Sequence, residues 1–77
     1  MADKAFITSE ILKWARESAN ISVEDAAKKI SVSSERYMTW EDGNDFPTIR
    51  QAQILAKSFR RPFSLFFLPE IPIDFQP

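Results

Sequence analysis

The sequence predicts an all-α fold, a compact bundle of about five short helices, and three observations carry that expectation. Glycine occurs once in 77 residues while Ala, Ile and Leu are frequent, a composition that favours helices over a sandwich or barrel. Apolar residues recur at helical spacing in four separate stretches. Each of these stretches is preceded by a serine or threonine placed to cap it.

The first helix is expected from about Glu10 to Ala19, with Ser9 as its cap and Ile11, Leu12, Ala15 and Ala19 as an apolar stripe. Asn20 follows as a left-handed terminator. The second begins after Ser22, with Asp25 as an acidic variant of the capping box and Ala26, Ala27 and Ile30 on its buried face. So short a helix cannot survive alone and must be held by packing. Ser31 and Val32 make a turn, and Ser33 caps a third helix running to Glu41 with Tyr37 and Trp40 inward. Gly43 and Pro47 bracket a breaker-rich loop. Thr48 and Gln51 form a capping box for the fourth helix, whose stripe is Ile49, Ala52, Leu55, Ala56 and Phe59. Pro62 suits the first position of a fifth, "PFSLFFL".

Length and composition bound the function. A chain of 77 residues makes one domain and buries only about 60% of the surface its unfolded form exposes. It contains neither cysteine nor histidine, which removes disulfides, thiolate metal sites, the commonest general base and every His-dependent triad. A single glycine leaves no phosphate-cradling loop. No enzyme activity, catalytic residue, metal site or cofactor is therefore expected. No apolar run approaches the ~20 residues a membrane span needs, and the N-terminus lacks the blocks of a signal peptide. A soluble, cytoplasmic chain is the expectation.

Two helices of about eight residues joined by a three-residue turn can share a core only by crossing steeply, and Ala26–Ala27 supply the small side chains that such a crossing demands. Here the sequence resembles the phage-repressor-like, Cro/XRE-type helix-turn-helix domain. The resemblance is carried by "SVEDAAKKISVSSERYMTWEDG" (Ser22 to Gly43), by "FPT" (Phe46 to Thr48) and by a following helix with "LAKSF", and it extends over Ile11 to Leu68. It implies a lambda-repressor-like fold and sequence-specific binding of double-stranded DNA as a transcriptional regulator of repressor type. "ILKWARESA" and "RRPFSLFFLPEIP" further resemble the N-terminal domain of regulators linked to an ImmA/IrrE-type metallopeptidase. The helix-turn-helix domain is expected over 1–68, with 69–77 a proline-rich tail or a linker to a missing C-terminal region.

The same resemblance assigns roles. Ser34, Glu35, Arg36 and Thr39 on the third helix would face base edges. Ser22, Lys28, Lys29, Asn44 and Arg50 would face phosphates, Asn44 from a loop whose amides commonly do so. Arg16 and Glu41 would form a structural ion pair. The plainer reading of the third helix is a solvated polar face. Trp14 and the aromatic run Phe63, Phe66 and Phe67 are core or interface, and the expected outlets are a homodimer on a palindromic operator or docking of the missing C-terminal domain.

Two departures stand against the pattern. Ser31 holds the turn position where glycine is usual. Glu24, Asp25, Glu35, Asp42 and Asp45 crowd the face expected to meet DNA, in a chain of net charge −1. Protein–protein interaction, as a peptidase-linked or antitoxin-type regulator, is the alternative function.

Overall fold

A computed structural model describes residues 3–71. They form α1 (Ser9–Ser18), α2 (Val23–Lys29), α3 (Ser34–Glu41), α4 (Ile49–Ser58) and a closing 3-10 helix, Phe63–Phe67. The expected proline-rich tail lies, from residue 72 on, outside the described residues; Ile71 is half-buried against the core.

Short helices need defined ends, and the local sequence supplies them. The Ser22 hydroxyl accepts from the Asp25 N–H at 3.1 Å, and the Ser33 hydroxyl accepts from the Arg36 N–H at 3.1 Å. Thr48 and Gln51 close a full capping box, with Thr48 N–H donating to Gln51 Oε1 at 2.9 Å. At Ser22 the box is only half made, because the Asp25 side chain is one methylene too short to reach back as Glu or Gln does. The start of α1 differs from expectation. Thr8, not Ser9, is its extended N-cap residue, and its side chain does not cap. The Thr8 hydroxyl donates instead to the Leu68 carbonyl and its N–H to the Phe66 carbonyl at 2.8 Å, so the C-terminal segment claims it.

All four α-helices end in the same way. The residue after the C-cap takes positive φ, its N–H returns to the last turn, and the next N–H returns one residue further back. Asn20 (φ 58°), Ser31 (φ 57°) and Arg60 (φ 59°) fill this left-handed position after α1, α2 and α4, and Gly43 (φ 81°) fills it after α3. In the turn between α2 and α3, Ser31 N–H donates to Lys28 O at 3.2 Å and Val32 N–H to Ala27 O at 3.1 Å. Serine thus adopts the conformation in which glycine is usual, at the strain that a Cβ brings there. Gly43 sits where the chain passes close to α1: an added Cβ would meet Ser9 Oγ at 3.4 Å.

Packing follows from these ends. Ala26 and Ala27, 0% and 2% exposed, let α2 lie close on α3 and α4. Tyr37 and Trp40 fill the centre, stacked edge to face at 5.7 Å, with Ile11, Leu12, Leu55, Phe59 and Phe66 around them. Burial, and then the nearby Glu41 carboxylate, push the Tyr37 phenol far above its ordinary range. Ile49 is exposed, contrary to its place in the expected stripe, because it opens α4 at the rim of the core. Pro62 is the N-cap residue of the last helix, with no side-chain cap bond, rather than its first position, and that helix is 3-10 rather than α. Its aromatic run divides: Phe66 is core, Phe63 half-buried, Phe67 exposed. Arg61 lays its guanidinium 4.7 Å over the Trp14 ring and donates to Ser18 Oγ at 2.9 Å, fastening the C-terminal segment to α1.

One ion pair joins α1 to the end of α3. Arg16 Nε meets Glu41 Oε2 at 2.7 Å and Nη2 meets Oε1 at 3.2 Å, while Nη1 donates to the Ile21 carbonyl at 2.9 Å. The two side chains are only 12% and 3% exposed. Residues 3–7, for which the sequence predicts no element, form a strap that turns tightly at Phe6, where Ile7 N–H donates to Ala5 O at 2.8 Å. Ala5 N–H donates to Pro47 O at 2.8 Å, Ile49 N–H donates to Asp3 O at 2.9 Å, and Ala5 and Ile7 are buried.

Arg16→Ala or Glu41→Ala will destabilise the domain by about 3–5 kcal/mol in urea unfolding, because each leaves a buried charge without its partner, whereas replacing both together by Met and Leu will cost far less. Ser31→Gly will raise stability by about 0.5–1 kcal/mol in the same measurement, since strain relief outweighs the added freedom of the unfolded chain. Asn20→Gly will gain less, asparagine being tolerant of the left-handed region.

Candidate nucleic-acid interface

With Tyr37 and Trp40 inward, the opposite side of α3 is presented outward. Glu35 and Arg36 are exposed, and Ser34 and Thr39 are half-buried. Glu35 lies in the first turn, where the helix dipole favours a carboxylate. The Thr39 hydroxyl donates to the Arg36 carbonyl at 2.6 Å. Its proton is therefore used within the helix, leaving its lone pairs and its methyl group for any partner. Arg36 is the only cation on α3.

The structure separates the residues expected to meet phosphate. Ser22 is exposed at the start of α2, and Lys28 and Lys29 are exposed in its last turn, about 10 Å away along a seven-residue helix. Arg50 is exposed in the first turn of α4, beside Asp3, Thr48 and Gln53. In the loop after α3, Asn44 is exposed, but the backbone amides expected there are already used. Asn44 N–H donates to Thr39 O at 2.9 Å and Asp45 N–H to the same oxygen at 3.2 Å. Phe46 N–H donates to Asp45 Oδ1 at 2.8 Å. The helix end that Gly43 makes, together with the Asp45 carboxylate, thus consumes these donors, and the Asn44 side chain is what the loop still offers.

Two further residues belong to this surface that the motif alone does not point to. Met38 is 38% exposed on α3. The inward spacing of Tyr37 and Trp40 already turns it outward, so a helical wheel finds it. Lys4 reaches from the strap to Asp45, Nζ to Oδ1 at 3.0 Å, and also donates to the Phe46 carbonyl at 3.2 Å. No local signal links residues 41 positions apart. Asp45 titrates below the ordinary range, held there by Lys4 first and the Phe46 N–H second, with Arg36 adding a weaker pull.

Four α-helices, three of them capped by a side chain, with the second packed on the third beside a pair of alanines and the third turned outward, define the class: the described residues form an XRE-type helix-turn-helix domain. A solved crystal structure of an HTH_3 family transcriptional regulator from Vibrio cholerae is similar to it, with a TM-score of 0.64 and 30% identity. The match covers 77% of this chain and 33% of that one, so this chain spans about a third of the regulator's length. No family model and no curated protein matches the chain. Among the described residues no helix is long and apolar enough to cross a membrane.

The Asp45 shift is a linkage statement. Its carboxylate is favoured in the folded state, so the stabilisation is present above its unfolded value, about 4, and is lost as pH falls through the lower folded value. NMR titration of the Asp45 carboxyl will find it below ordinary aspartates, and Lys4→Met will move it upward without abolishing the shift, because the Phe46 N–H remains.

Proposed function

We propose that this domain binds double-stranded DNA as a transcriptional regulator of repressor type, inserting the start of α3 into the major groove. The observation that carries the reading is the outward face of α3, which holds Ser34, Thr39, the acid Glu35, one arginine and Met38 on a helix anchored from behind by Tyr37 and Trp40. The likeness to the Vibrio cholerae regulator supports it. Glu35 accepts from a cytosine amino group. Ser34 bonds either donor or acceptor, and Arg36 reaches guanine or phosphate. Thr39, its proton committed, accepts from an amino group or packs its methyl against thymine.

Ser22, Lys28, Lys29, the Asn44 side chain and Arg50 meet the DNA backbone in this reading. A protein neutralising several phosphates loses affinity with salt at a log–log slope of about −0.9 for each phosphate neutralised. Dimerisation through the C-terminal end, where Phe67 is 47% and Leu68 38% exposed, sets two copies of α3 about 34 Å apart on a palindromic operator.

Footprinting against the region upstream of the gene tests the proposal, and a protected, two-fold symmetric site at low salt is the expected result. Glu35→Ala and Thr39→Ala will each weaken specific binding by about 1–3 kcal/mol for every base the side chain no longer reads, with fold and salt slope unchanged. No protection at low salt, or indifference to both substitutions, rejects the α3 assignment.

A further inference from the structure

The loop after α3, "DGNDF" from Asp42 to Phe46, carries two acids and no cation, yet it follows directly on the helix proposed to enter DNA. Asp45 is tied to that helix by its own N–H, which donates to Thr39 O at 3.2 Å. Its carboxylate also lies within electrostatic reach of Arg36. Left alone, it has two harmful options: pairing with Arg36, or facing phosphate as a bare negative charge.

We propose that Lys4 is a charge clamp for the DNA-facing side, holding the Asp45 carboxylate so that Arg36 stays free and the loop approaches phosphate with one bare carboxylate, Asp42, instead of two. This rests on the DNA-binding reading above. The clamp has defined geometry. Asp45 Oδ1 accepts from Lys4 Nζ at 3.0 Å and from the Phe46 N–H at 2.8 Å, and Nζ also donates to Phe46 O at 3.2 Å. The backbone that carries Lys4 is fixed in this place. Its neighbours in the strap are pinned on both sides, by Ile49 N–H donating to Asp3 O and Ala5 N–H donating to Pro47 O, and Ala5 and Ile7 are buried. The ion pair itself is surface-exposed, so its worth to folding is small. Its worth to binding is larger, because a polyanion reads every nearby carboxylate as repulsion.

The test compares the full chain with its Lys4→Met, Asp45→Asn and double variants, titrated against duplexes from the region upstream of its gene. Lys4→Met keeps the aliphatic stem, and thermal melts check that the fold is retained. Lys4→Met is expected to weaken binding about three- to tenfold at low salt, the scale of one unmasked charge beside a phosphate backbone. Asp45→Asn is expected to match or exceed the parent, and the double variant to match Asp45→Asn. If the loss persists in the Asp45→Asn background, Lys4 itself touches phosphate and the clamp is wrong. If Lys4→Met binds as the parent does, or Asp45→Asn alone loses affinity, the clamp is wrong while the DNA reading stands. Failure of the parent chain to bind any duplex removes the DNA reading, and the clamp with it.

Discussion

The guanidinium of Arg16 holds together the point on which the remainder of the fold depends. It bridges α1, the carbonyl of Ile21 in the following turn, and Glu41 at the end of α3. A planar fork with fixed donor directions can make these three bonds together only when α1 and α3 take one relative orientation. That constraint matters more here than in a larger protein, because α3 has eight residues and its own core contribution is two aromatic side chains. Tyr37 and Trp40 set which side of α3 faces inward, and the Arg16–Glu41 fork sets how far along and at what angle it lies. Together they leave one surface of α3, that of Ser34, Glu35, Arg36 and Met38, with no structural duty.

The second constraint is how helices of seven to ten residues are stopped. All four use a left-handed residue that recovers two orphan carbonyls, and only one of the four is glycine. The glycine falls after α3, where the chain also comes close to Ser9. At the other three positions Asn20, Ser31 and Arg60 tolerate the strain in open surroundings. The same termination explains the silent amides of the loop: a helix end that satisfies its own carbonyls uses the N–H groups of residues 43 to 45 to do so. A tidy end for α3 and a phosphate-binding backbone in that loop are therefore mutually exclusive.

Much of this was legible in the sequence because its code is local. A cap and its partner are three residues apart, so Ser22, Ser33 and Thr48 announced α2, α3 and α4, and the Ala26–Ala27 pair announced the close packing of α2. What stayed hidden was non-local or competitive. The strap of residues 3–7 is too short to show a period and is fastened to the fold by partners more than 40 positions away. Ser9 has the chemistry of a cap, but the helix begins one residue earlier because Thr8 is held by Phe66 and Leu68 from the far end of the chain. Ile49 fits the apolar period of α4 yet lies at the rim, since periodicity gives direction and not depth. At the candidate interface, residue types placed Glu35 and Arg36, but not the committed hydroxyl of Thr39, nor Lys4.

The acid that argues at first sight against DNA is, in the structure, several different things. Glu41 is buried in its fork with Arg16, and Asp45 is held by Lys4 and a backbone N–H. Glu24 and Asp25 stand in the first turn of α2, where they favour the helix dipole, and Lys28 and Lys29 balance them at its other end. Asp42, at the C-cap of α3, and Glu35, exposed at the start of α3, are left; neither has an ion-pair partner among the described residues. A carboxylate at the start of α3 lowers affinity for any phosphate backbone, a loss that is offset when a cytosine amino group sits opposite. Its effect is to weaken non-specific binding more than specific binding. Because a regulator competes for its site against a vast excess of other sequence, that ratio counts for more than affinity itself. In the DNA-binding reading, a net charge of −1 is then the condition under which base recognition, rather than phosphate attraction, decides where the domain stays.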